Sequence, residues 1–96
     1  MITSKQRAQL RALANNINPI FQIGKDGIND NFLTQVDDAL EARELVKIKT
    51  LNNSGITPRE AIGILCDELS CEPVQTIGSK FVIYRKSSKK PKIELK

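Results

Sequence analysis

The sequence predicts an α/β fold: a mixed four-stranded sheet with three helices, two layers in all, in the order α-β-α-β-α-β-β. Three observations predict it. Apolar residues recur at helical spacing in three stretches, the period switches to two in the runs between them, and a short glycine turn separates the last two runs.

Thr3 followed by Gln6 has the form of a capping box, and Leu10, Leu13, Ala14 and Ile17 then keep helical spacing, so a first helix covers about residues 4–15. Arg7 and Arg11 share one flank of it, while Lys5 lies elsewhere. Pro19-Ile20-Phe21-Gln22-Ile23 reads as a strand stopped by the tight loop Gly24-Lys25-Asp26-Gly27. Asn29 caps a second helix to about Arg43, whose buried stripe is Phe32, Leu33, Val36, Ala39 and Leu40. Its other side collects Asp30, Asp37, Asp38, Glu41 and Glu44, a flank that would repel phosphate.

From Leu45 to Leu51 the period is two, with Val46 and Ile48 on one face and Lys47 and Lys49 on the other. Asn52-Asn53-Ser54-Gly55 turns the chain. Thr57-Pro58-Arg59-Glu60 then joins an N-cap, a first-turn proline and a capping-box glutamate, opening a third helix that runs to about Ser70 with Cys66 in its core stripe. Val74–Ile77 and Phe81–Tyr84 flank Gly78-Ser79-Lys80 as a hairpin. Strand-helix-strand units favour parallel neighbours and the hairpin must be antiparallel, hence a mixed sheet.

Ninety-six residues suffice for one core and leave little room for a deep cavity. The hydrophobic share of 40% against 27% charged residues is that of a folding chain. No apolar run approaches the roughly 20 residues that span a bilayer, and the N-terminus lacks a secretory signal, so a cytoplasmic location is expected. Cys66 and Cys71 are too few for a disulfide scaffold. With no histidine they complete no zinc site, so both are expected as reduced thiols, with no metal and no cofactor. The missing histidine also removes the ordinary nucleophile-base pair, and the carboxylates gather on helix flanks; an enzyme and a small-molecule substrate are not expected.

The net charge of +4 is unevenly spread. Arg85, Lys86, Lys89, Lys90, Lys92 and Lys96 face only Glu94, six positive charges against one, whereas residues 1–84 carry nine against ten. Residues 1–85 therefore read as one domain and residues 86–96 as a basic, mobile tail suited to a polyanion or to solubility. The Gly24-Lys25-Asp26-Gly27 loop is the most informative tetrapeptide. Glycines at a strand end let the backbone approach a ligand and expose N–H groups to a phosphate, although such a turn also serves simply to enter a helix. Phe21, Phe32, Phe81 and Tyr84 fall in core patterns, which argues against an open aromatic platform for bases.

These blocks together resemble one family over nearly the whole chain, from Thr3 to Arg85. Lys5-Gln6-Arg7 with Leu10-Arg11-Ala12-Leu13-Ala14, then Pro19 and Ile23-Gly24-Lys25-Asp26-Gly27-Ile28, then Ala42-Arg43-Glu44-Leu45-Val46-Lys47, and finally Ile77-Gly78 with Tyr84-Arg85 are similar to the chloroplast RNA splicing and ribosome maturation domain in its stand-alone, bacterial YhbY-like form. The resemblance implies a fold similar to the C-terminal domain of translation initiation factor 3. It also implies binding to structured RNA, namely ribosomal RNA in large-subunit precursors; the chain is expected to be a monomer. It promotes Gly24, Lys25, Asp26 and Gly27 to an RNA-contacting loop, by analogy with the loop of KH domains, which there joins two helices. Lys5, Arg7, Arg11, Lys47, Lys49 and Arg85 join it as expected contacts. Arg43 and Arg85 remain ambiguous, since Arg43 lies near the buried stripe. Ser79 departs from the basic residue that relatives often carry, with Lys80 next to it. A rival reading makes the acidic flank of the second helix a dock for a basic ribosomal protein.

Overall fold

The computed structural model describes residues 2–96. Its helices are α1 (Ser4–Ala14), α2 (Asp30–Arg43) and α3 (Pro58–Leu69), and its strands are β1 (Phe21–Ile23), β2 (Leu45–Thr50), β3 (Glu72–Ile77) and β4 (Lys80–Tyr84). The sheet runs β1-β2-β4-β3, with β1 parallel to β2 and the other two pairs antiparallel. The expected order, three helices and mixed four-stranded sheet are all present.

Local chemistry sets the element ends. Thr3 and Gln6, and again Thr57 and Glu60, exchange side-chain and backbone hydrogen bonds as reciprocal caps of α1 and α3, and Asn29 Oδ1 accepts the Phe32 N–H at 2.8 Å to start α2. The connection from β3 to β4 is only Gly78-Ser79, with Gly78 at φ +58. A left-handed glycine in the first central position is what a type II′ hairpin turn requires. Strand β3 begins two residues earlier than the periodicity suggests and includes Pro73. As an edge strand with a register shift between Pro73 and Gln75, it tolerates a residue that donates no ladder hydrogen bond.

Alternation then divides the core. Val46, Ile48, Phe81 and Ile83 point with Ile23 into a cluster closed by Val36 and Leu40 of α2 and Ala61, Ile62 and Leu65 of α3. Leu45, Val82 and Tyr84 point to the opposite face, where Leu10 and Ala14 of α1 and Val74 cover them. Helix α1 thus covers part of the second face together with Ile93 and Leu95, so helices lie on both faces. The layers number three where two were expected, because the sequence does not say which face each helix takes.

The expected placement of one charge needs correcting. Periodicity puts Glu44 on the outer acidic flank of α2, yet it is fully buried. The helix ends at Arg43, and Glu44 adopts φ +67, which swings its side chain out of the helical series and under the chain that follows β4. Its Oε2 accepts the Ser87 N–H at 2.8 Å, and its Oε1 accepts those of Lys92 and Ile93 at 2.6 and 2.7 Å. Residues 87–93 of the segment after β4 accordingly lie against the body. Glu41 accepts the Ser87 and Ser88 hydroxyls and the Ser88 and Lys89 N–H groups, while Ile93 and Leu95 pack against the cluster beneath α1.

Burial alone would push the Glu44 carboxyl up, but the N–H groups of Ser87, Ile93 and Lys92, helped by the Lys86 charge, hold it below its ordinary value of 4.5. A depressed folded value contributes stability at pH above 4.5 that is lost as pH falls through it. We therefore expect the Ser87, Lys92 and Ile93 amides to be protected from hydrogen exchange at neutral pH and to lose protection on acidification. In Glu44→Gln, one oxygen becomes a donor facing donors. That variant should lose this protection at all pH values and about 2 kcal/mol of stability, the scale of hydrogen bonds to a charged group.

Candidate nucleic-acid interface

Antiparallel register places Lys49 directly opposite Lys80, and Lys47 lies two residues along β2 on the same open face. Like charges directly opposite in a sheet repel. Among the described residues the one ion pair is Arg85 with Asp37, so no carboxylate neutralises these lysines within ion-pair distance. The side chains of Lys47 and Lys80, with Asn15 at the end of α1 and Gln75, Ile77 and Val82 of the sheet, line a cleft of about 180 Å³. Ile77 is 60% exposed beside them.

The glycine loop joins this end of the sheet. Because β1 and β2 are parallel, Ile23 pairs with Thr50 and accepts the Leu51 N–H at 2.9 Å, which brings Gly24 beside the end of β2. The Gly27 N–H donates to the Gly24 carbonyl at 3.0 Å, closing a turn with exposed Lys25 and Asp26 at its tip. That N–H is therefore occupied within the loop. The amides of Lys25 and Asp26 have no acceptor among the described residues and stay available to an anion. Gly27 holds φ +66, a conformation that favours glycine, whereas Gly24 does not, and a Cβ on Gly24 would meet Leu51 Cδ1 at an ordinary 3.6 Å. The loop and the start of α2 enclose about 220 Å³ lined by Gln22, Gly24–Gly27, Asn29 and Gln35.

The other expected contacts are spread out. Arg7 Nε donates to the Pro73 carbonyl at 3.0 Å, so Arg7 is pinned over the start of β3. Arg11 is exposed in the last turn of the same helix, and Lys5 is exposed near its start, toward the sheet end that carries Glu72. Arg85 is half-buried and held by the fold. Its Nη1 meets Asp37 Oδ1 at 2.6 Å and the Leu69 carbonyl at 3.1 Å, and its Nη2 donates to the Asp37 carbonyl at 3.0 Å. Arg43 is exposed at the rim of an apolar groove of about 600 Å³ walled by Leu13, Ile17, Ile20 and Leu45. Lys80, left unassigned by the sequence, is the residue the structure adds. Its pairing depends on the β2–β4 register, which joins strands about thirty residues apart and has no local signal.

The family profile of the CRS1 / YhbY (CRM) domain matches residues 2–85. The Bacillus subtilis protein YqeI, named a probable RNA-binding protein, is 42% identical over 95 residues, 99% of each chain. A Haemophilus influenzae protein named an RNA-binding protein is 33% identical over 94 residues, 98% of this chain and 94% of its own. Among solved structures, a hypothetical protein of Staphylococcus aureus, described as a candidate RNA-binding protein, matches with a TM-score of 0.74 and 49% identity over 100% of both chains.

The Lys49–Lys80 register generates a prediction about the free protein. Lys49→Glu replaces repulsion by a cross-strand pair of opposite charge and should raise stability in urea denaturation by up to about 1 kcal/mol, the scale of such pairs. The gain should shrink as salt is added.

Proposed function

The chain belongs to the CRS1 / YhbY (CRM) domain family, and on that premise we propose that it is an RNA-binding protein of ribosome assembly that holds large-subunit precursor RNA by its phosphates. The observation that carries the reading is the unpaired lysine set Lys47, Lys49 and Lys80, two of them in direct register, next to the loop Gly24–Gly27. Such a surface destabilises the free protein slightly and is relieved when an anion sits between the charges. An RNA backbone supplies anions at regular spacing.

In this mechanism Gly24 and the open Lys25 and Asp26 amides admit a phosphate, Lys25 adds charge at the tip, and the sheet lysines extend the track. Arg11 and the free edge of Arg7 extend it along α1. Arg85, held by Asp37 and the Leu69 carbonyl, shapes the fold and is left out of the contact set. The aromatic rings are unavailable for stacking. Phe21 and Phe32 pack edge to face at 5.8 Å, and Phe81 and Tyr84 are buried. Recognition by shape and phosphate geometry follows.

The rival dock for a basic protein loses most of its charge to the fold itself. Asp37 is paired with Arg85, Glu41 is occupied by the segment after β4, and Glu44 is buried, so Asp30 and Asp38 alone of that flank are open.

Combined reversal of Lys25, Lys47 and Lys49 to glutamate should weaken binding to a transcript of large-subunit ribosomal RNA tenfold or more. It should also flatten the logarithmic salt slope by roughly 0.7–0.9 for every phosphate that is no longer engaged. Combined Asp30→Lys and Asp38→Lys should leave binding equal or stronger. Unchanged affinity in the folded lysine variant, or weaker binding in the aspartate variant, overturns the proposal. Gly24→Asp is the cleaner test of the loop, because no left-handed backbone is disturbed. It should weaken the same binding with an unchanged circular dichroism spectrum, and a folded Gly24→Asp protein of normal affinity would remove the loop from the mechanism.

A further inference from the structure

The two cysteines sit on the far side of the sheet from the lysines, and nothing in the RNA reading uses them. Cys66 lies in the last turn of α3, and Cys71 immediately precedes the paired residues of β3. Between them Ser70 adopts φ +54, a left-handed cap that reverses the chain and brings the two sulfur atoms to 3.6 Å, with Cys71 Sγ donating to Cys66 Sγ. Cys66 is half-buried at the surface of the α2–α3 core, whereas Cys71 is 4% exposed. One cysteine is partly exposed to solvent and the other is buried beside it. Attacking and resolving thiols of an oxidant-responsive site share this arrangement.

From this geometry we infer that Cys66 and Cys71 form a reversible intramolecular disulfide when the protein meets hydrogen peroxide. The Cys66 sulfur attacks one peroxide oxygen, the O–O bond breaks, and the departing oxygen leaves as water with the thiol proton. Cys66 is then a sulfenic acid. The Cys71 sulfur attacks that sulfur, an S–S bond replaces the S–O bond, and the second oxygen leaves as water carrying the Cys71 proton. The two thiols lose two electrons and the peroxide is reduced to two waters. The hydrogen bond from Cys71 lowers the Cys66 thiol below its ordinary value, against its burial and the nearby Glu72 and Asp67 charges. The same contact, with burial, raises Cys71, so the roles are assigned consistently. The link would tie the end of α3 to the start of β3, next to the Leu69 carbonyl that receives Arg85. Oxidation would therefore lock a corner of the fold without touching the lysine face.

The test is to expose the folded full chain to hydrogen peroxide, block remaining thiols by alkylation and measure the intact mass. The expected product is a monomer lighter by two hydrogens with neither cysteine alkylated, restored to two alkylatable thiols by dithiothreitol. Cys71→Ser should instead accumulate a sulfenic acid on Cys66 that dimedone traps. The inference is overturned if the wild-type monomer keeps both thiols, if the disulfide forms only between chains, or if Cys66 proceeds to sulfinic acid while Cys71 stays free. The wild-type measurement decides the matter even if the serine variant fails to fold. RNA affinity is not the readout, so the two proposals fail separately.

Discussion

A single buried residue, Glu44, ties together the end of α2, the start of β2, the exit of β4 and the segment that follows. Helix α2 ends at Arg43 and β2 begins at Leu45, so one residue makes the whole turn between them. It does so at φ +67, a conformation that costs a non-glycine residue of order 1–3 kcal/mol and persists only where its surroundings over-determine it. The surroundings are dense. The Glu44 N–H donates to the Leu40 carbonyl at 2.8 Å, its carbonyl accepts the Arg85 N–H at 3.0 Å, and its carboxylate gathers three more N–H groups from residues 87–93. The end of α2, the start of β2, the exit of β4 and the terminal segment are thereby positioned by one residue.

That joint also sorts the charges of the molecule. With Glu44 drawn inward, Glu41 beside it holds the Ser87–Lys89 backbone, and Asp37 one turn earlier takes Arg85. Negative charge is consumed on the helical side of the sheet. Lysines on the open side are left with no counterpart, because strand alternation carries Lys47 and Lys49 to the face opposite Val46 and Ile48. A body that is nearly neutral in sum thus presents a cluster of unpaired lysines on one sheet face, which supports a polyanionic ligand more strongly than the net charge does.

Wherever a signal is confined to a few neighbours, the sequence is readable. The two capping boxes, the Asn29 cap, the alternation of β2 and the Gly78 turn each depend on residues within four positions of one another, and each lies where it is expected. What escapes the reading is long-range. Helical periodicity puts Glu44 on the solvent side because it assumes a continuing helix, and a left-handed residue ends that assumption. The lysines of the terminal segment suggest mobility, while its anchors are backbone N–H groups and the alternate apolar pair Ile93 and Leu95, whose partners lie on α1 and the sheet. Arg85 looks like a free cation until α2 is folded against the end of β4, and Lys80 gains its meaning only from the register that sets it against Lys49.

The chemistry of the open face also bears on how selective the proposed RNA contact can be. Its sheet cations are lysines, compact charges on flexible stems that follow a phosphate without fixing its orientation. Arg7 and Arg85 are engaged within the fold, and Arg11 on α1 is the one arginine of the track left exposed and without a partner among the described residues. Bidentate reading of guanine edges is an arginine's task. The loop adds backbone amides, which bind any phosphate alike. Selectivity among RNAs then has to come from the spacing between the glycine loop and the sheet lysines. That spacing is fixed by two ladders: the parallel one that sets Ile23 against Thr50, and the antiparallel one that sets Lys49 against Lys80. On the proposed reading, discrimination by such a surface is a property of the rigid sheet, and an RNA would be accepted when its own fold presents phosphates at matching positions.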